Sequence, residues 1–167
     1  MKPKNVTELL LNKKILEETY NEYLKKKLIV KNHADLSKAH LAKCGNNMEF
    51  ANYLLENNKF LDWAVVGLYY SVYHASLALL SRKGFSSKDH NATLCFLIKN
   101  FSDFSKEEIE LIDQLSIDRQ DIEFYAGLKE ERRKASYSTS LLFDLEKVLS
   151  LRNRAILLVN KIRGILE

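Results

Sequence analysis

The 167 residues carry 46% apolar and 29% charged side chains, enough for one core of ordinary size and too few for two independent ones. Five Gly and a single Pro argue against an architecture of short strands and turns and favour long helices. The formal charge of +4 permits phosphate-rich partners but falls short of a dedicated DNA binder, and Cys44 and Cys95 lie too far apart, with no second Cys near either, for a zinc site to be expected.

Lys2, Lys4 and Asn5 lead into an amphipathic stretch, not an apolar leader, so a cytoplasmic protein is expected. Asn5-Val-Thr-Glu8 reads as a capping box, after which Leu9, Leu16, Tyr20 and Tyr23 recur at helical spacing as far as the basic run Lys25 to Lys27. A second helix is predicted after His33 and runs to about Asn57, with Leu41, Cys44, Met48, Ala51 and Leu55 stepping by three and four. Both cysteines are expected as reduced core residues. His33 and His40 are expected on the surface.

From Trp63 to Ser81 nineteen residues pass without a formal charge, and apolar or aromatic side chains point in nearly every direction around the helix. A membrane span competes with a core helix here. Gly67, Ser71, His74, Ser76 and three tyrosines interrupt the apolar run, and the neighbouring helices are amphipathic, so a core helix with His74 hydrogen-bonded inside it is the reading adopted. Gly84 should stop this helix, with Phe85 to His90 as a polar loop before a short helix marked by Leu94, Leu97, Ile98 and Phe101.

Ser105-Lys-Glu-Glu108 is a second capping box, opening a helix with Ile109, Ile112, Leu115 and Ile122 inward and Gly127 as its expected stop. Residues 128–136 read as a charged link. Ser138 to Ser140 would then cap a final helix in which Leu141, Leu145, Val148, Ala155, Val159, Ile162 and Leu166 keep a near-heptad rhythm. The sum is an all-α antiparallel bundle of five to six helices, a single domain over 1–167.

Tyr69-Tyr70, Tyr73-His74-Ala75, Gly84 and His90, in that order, resemble the central portion of the HEPN (higher eukaryote and prokaryote nucleotide-binding) superfamily, in its small stand-alone prokaryotic and archaeal branch. The likeness extends more weakly from about Lys43 to Ile162, leaving 1–34 as an extra N-terminal helix on a bundle core of 35–167. It implies a nucleotide- or RNA-associated bundle that commonly forms a homodimer, often with a nucleotidyltransferase partner in a toxin–antitoxin or defence module. No cofactor and no metal are implied.

HEPN ribonucleases carry an Arg followed a few residues later by a His, and the matching stretch here begins at Arg119. It contains Glu123, Phe124 and Tyr125 but no His. Arginine suits a phosphate because its guanidinium stays charged and offers a two-pronged donor, whereas tyrosine is a poor general base at neutral pH. Binding is therefore expected to outlast cleavage, with Arg119, Tyr125 and His90 as catalytic candidates and Arg82, Lys83, Lys88, His90, Arg119 and Tyr125 as nucleotide- or RNA-binding candidates. Arg132-Arg133-Lys134 is the densest basic cluster, diluted by Glu130 and Glu131. A metal-independent endoribonuclease toxin and a purely structural scaffold are the two alternatives.

Overall fold

The computed structural model describes residues 6–131 and 143–167, with the side chains of 121–131 excepted. Its order is α1 (Val6–Leu11), α2 (Lys13–Lys25), β1 (Ile29–Lys31), α3 (Ser37–Glu56), α4 (Leu61–Arg82), β2 (Phe85–Ser87), α5 (His90–Asn100), α6 (Lys106–Glu131) and α7 (Leu145–Leu166). It is an all-α bundle, with a single short β-pair among the described residues.

The single N-terminal helix expected from the hydrophobic spacing is in fact two, because Asn12 leaves helical geometry and caps α2. Its Oδ1 accepts the amides of Lys14 at 3.0 Å and Ile15 at 3.2 Å, an alternative that asparagine offers the backbone and apolar periodicity does not register. Asn5, with its expected capping role, lies outside the described residues. At the far end of α2 the amides of Leu28 and Lys27 turn back onto the carbonyls of Tyr23 and Leu24, which holds Lys27 at φ 56°. Asn58 and Lys59 end α3 in the same way.

Helix α4 is the centre. It is long and apolar enough to cross a membrane, yet its surface is buried by the rest of the chain: Leu68, Val72, Ala75, Ala78 and Leu80 are fully enclosed, with α3, α5, α6 and α7 packed around it. A helix that is apolar on all sides needs neighbours on all sides, which is why its sequence shows no polar face. Helices α3 and α4 run antiparallel, since His40 meets His74, Cys44 meets Ser71, and Asn47, Phe50 and Ala51 meet Gly67. A side chain at Gly67 would begin 3.1 Å from the Phe50 ring and 3.2 Å from the Asn47 carbonyl. Gly67→Ala is therefore expected to destabilise the fold by about 1–3 kcal/mol through overpacking, read as a lower urea midpoint with unchanged slope; an unaltered midpoint would show that the hairpin can open without cost.

Gly84, at φ 78°, ends α4 as expected. The chain after it is not only a polar loop. Phe85–Ser87 pairs antiparallel with Ile29–Lys31, in the register Ile29↔Ser87 and Lys31↔Phe85, and the pair packs against α5. Three residues give no alternation to recognise, so the pairing is settled by proximity. The capping box at Ser105 forms reciprocally, Glu108 N donating to Ser105 Oγ and Ser105 N to Glu108 Oε2. Helix α6 then passes through Gly127 to Glu131 instead of stopping, since an interior glycine costs only about 1 kcal/mol. The final helix starts at Leu145 with Asp144 as its cap; Ser138 to Ser140 and Leu141 lie outside the described residues.

Helices α1 and α2 pack onto α5, with Leu9, Leu16 and Tyr20 buried and the Tyr20 ring centre 6.2 Å from that of Phe96. Lys99 reinforces the contact, pairing with Glu17 and lying 4.8 Å from the Tyr20 ring. Both cysteines are buried and reduced, as expected.

Candidate functional site

Three helices meet around two tyrosines of α4. Tyr69 and Tyr73 are one turn apart and their rings stack at 5.6 Å. The start of α5 brings His90 to both, 5.8 Å from Tyr69 and 6.2 Å from Tyr73 between ring centres, and α6 lays the guanidinium of Arg119 on the Tyr69 ring at 4.7 Å. His90 and Arg119, 29 positions apart in sequence, thus share one aromatic ring as their neighbour.

The polar atoms around this ring cluster are unequally satisfied. Tyr69 is hydrogen-bonded to Ser116 and Tyr73 to Thr93. Burial pushes the Tyr69 hydroxyl up to about 12, with Arg119 opposing, and raises that of Tyr73 as well, so both stay neutral and can donate. The His90 side chain is 10% exposed, and neither of its ring nitrogens makes a hydrogen bond among the described residues; the nearest charge to Nε2 is Oδ1 of Asp113, at 3.8 Å. A buried imidazole with both nitrogens unsatisfied is costly, and its nitrogens are the atoms that a proton-bearing ligand would use. Arg119 is half-buried on an aromatic face, where a guanidinium is worth more to an anion than in open water.

The remaining candidates are not gathered here. Arg82 and Lys83 sit at the other end of α4, roughly 20 Å along the axis from Tyr69 at the helical rise. There Arg82 donates to the Leu166 carbonyl at 3.1 Å and pairs with Asp35, while Lys83 lies 5.3 Å from the Phe101 ring. Lys88 is exposed, two residues before His90. Tyr125 belongs to the helical span of α6, but its side chain lies outside the described residues, as do Arg132, Arg133 and Lys134.

No family model matches the chain. Over 86 residues it is 29% identical to a Methanocaldococcus jannaschii protein that carries the name putative toxin. That likeness covers 50% of this chain and 58% of the archaeal protein, so the chain spans little more than half the length of the relative it matches.

Sequence reasoning treated Tyr69 and Tyr73 as landmarks of a resemblance and passed over Asp113, Ser116 and Thr93 altogether. The one-turn spacing of Asp113, Ser116 and Arg119 puts all three toward one side of α6, a signal that was present but looked like an ordinary helix of mixed polarity.

The histidine expected on the surface at position 40 is instead half-buried. His40 Nδ1 lies 3.2 Å from His74 Nδ1, with the rings stacked 5.4 Å apart, so His74 is hydrogen-bonded as expected but to a partner that its sequence neighbourhood does not contain. Burial, then the neighbouring His40 and Lys43, lower His74 to about 4; burial and Lys43 lower His40 too. Between pH 6.5 and 4 the unfolded chain accepts a proton at His74 that the folded chain refuses. Its contribution is therefore present above pH 6.5 and is lost as the pH falls toward 4. Because the ring is partly exposed, solvent screening reduces the effect to about 1–2 kcal/mol. Urea melts at pH 7.5 and 4.5 in EDTA should show a smaller pH dependence for His74→Asn than for the unaltered protein; equal dependence would mean that His74 titrates normally.

Proposed function

We propose that this chain is an HEPN-type protein of a toxin–antitoxin or related defence module, which binds RNA or nucleotide phosphate at the corner formed by Arg119 and His90. In this reading it acts in the cytoplasm as a homodimer, with a nucleotidyltransferase as its partner. The observation that carries the reading is the convergence of Arg119 and His90 on the Tyr69 ring. The archaeal protein named a putative toxin supports the toxin part of it. Arg119 supplies a permanent charge and a fork matched to two phosphate oxygens, His90 supplies a ring N–H donor, and exposed Lys88, two residues before it, adds charge.

A second reading is favoured by a specific feature of His90. Its unbonded nitrogens beside Asp113 suit a group that takes up and returns a proton, so His90 stands in for the histidine missing after Arg119, and the protein cleaves RNA without a metal. One set of experiments separates the readings. Binding of a fluorescent single-stranded RNA should weaken steeply with salt, by a slope of about 0.7 per phosphate neutralised. Cleavage of that RNA in EDTA, abolished by His90→Asn with binding retained, would replace the binding reading by the enzymatic one. No RNA affinity even at low salt would remove both and leave a scaffold.

A further inference from the structure

A different place in the fold, independent of the RNA reading, has the geometry of a metal site. We infer that His40 and His74 form a two-histidine site for a divalent transition-metal ion that prefers nitrogen ligands, clipped across the α3–α4 hairpin.

The spacing is the main argument. With metal–nitrogen bonds of about 2.0–2.1 Å, two imidazole nitrogens on one ion stand about 2.9 Å apart at a right angle and about 3.3 Å apart at the tetrahedral angle. The two Nδ1 atoms are 3.2 Å apart, inside that range, and they already face each other. Small rotations about each Cβ–Cγ bond would aim both lone pairs at a common point. The hydrogen bond now joining the rings uses one Nδ1 proton; ligation moves that proton through solvent to the Nε2 of the same ring, leaving each ring neutral with a free Nδ1 lone pair.

The support is rigid. One turn along the hairpin, Ser71 Oγ donates to the Cys44 carbonyl at 3.0 Å and lies 3.3 Å from its sulfur. One turn further, Gly67 lets the two backbones approach closely. Helices held in this way keep the two nitrogens at fixed separation, which is what a metal-binding pair requires. Burial keeps both imidazoles in the neutral form that ligates, while their partial exposure leaves a path for the ion.

Two features set the strength. No group of three ligating side chains occurs among the described residues, so the protein supplies two ligands and water completes the shell. The Lys43 ammonium acts on both rings and repels a cation. Affinity is expected to be ordered Cu2+ above Ni2+ and Zn2+, as the general sequence of divalent metals dictates.

The full chain, stripped with EDTA and returned to chelator-free buffer, should be titrated separately with CuCl2, NiCl2 and ZnCl2 against a chromogenic chelator. One ion per chain is expected. His40→Asn and His74→Asn should each weaken binding at least tenfold, the exposed His33→Ala should leave it unchanged, and Lys43→Ala should tighten it severalfold. The last variant removes no ligand and tests the site even if the histidine variants do not fold. Absence of saturable one-to-one binding overturns the inference. So does binding that survives the double histidine substitution, or affinity that is indifferent to Lys43→Ala.

Discussion

Replacing Arg119 by alanine is expected to weaken RNA binding about ten- to a hundredfold, because charge-assisted hydrogen bonds to a phosphate are worth about 1.5–3 kcal/mol. The guanidinium is held on the Tyr69 ring at 4.7 Å, so little freedom is lost when it grips an anion. Lysine at the same position keeps the charge but loses both the fork and the flat contact with the ring, and Arg119→Lys should fall between the alanine variant and the unaltered protein. The alanine variant also forfeits the cation–ring contact, about 0.5–2 kcal/mol, so its melting temperature should be measured beside its affinity. An affinity unchanged in anisotropy titrations at low salt, with the fold intact, would remove Arg119 from the site. It would leave His90 as a buried histidine with no ligand to serve.

The largest expected effect on stability is at Phe96. Its ring is fully buried on α5, with its centre 6.2 Å from that of Tyr20 of α2, 5.2 Å from that of Phe85 of β2 and 6.5 Å from that of Phe101 after α5. Phe96→Ala removes the common partner of all three, and a cavity enclosed by three elements cannot collapse fully. A loss of about 3–5 kcal/mol is expected, or about 10 °C in melting temperature for a chain of this length. Hydrogen exchange should rise first in α2, whose buried face depends on this ring. Phe96→Leu fills most of the space and should cost much less. A loss below about 1 kcal/mol for the alanine variant would mean that the N-terminal helices are held mainly by the Lys99 contacts, not by this cluster.

The order of elements was legible wherever periodicity was long or a cap was explicit. The uncharged run from Trp63 to Ser81 read as a mostly buried core helix once its polar interruptions were weighed against a membrane span, and Ser105 with Glu108 marked the start of α6 to the residue. Breaks set by one side chain were not legible. Asn12 divides the first helix because its carboxamide competes for backbone amides, while Gly127 fails to end α6 because a single interior glycine is affordable within a long helix. Both depend on energies near 1 kcal/mol, the scale at which neighbouring contacts overrule local preference.

At the candidate site the same division holds. Arg119 and His90 stood out by residue type and were candidates for one site, but nothing in the sequence showed the ring on which they meet. Their common neighbour Tyr69, the Asp113 carboxylate beside His90 and the pairing of His40 with His74 join positions 20 or more residues apart. Composition and hydrophobic spacing by themselves determined that this chain is helical and which helix lies at its centre, because burial of apolar surface follows directly from pattern. Which polar groups meet was decided only by how α3, α5 and α6 pack around α4, since a hydrogen bond or ring contact depends on ångström-scale placement that no spacing along the chain encodes.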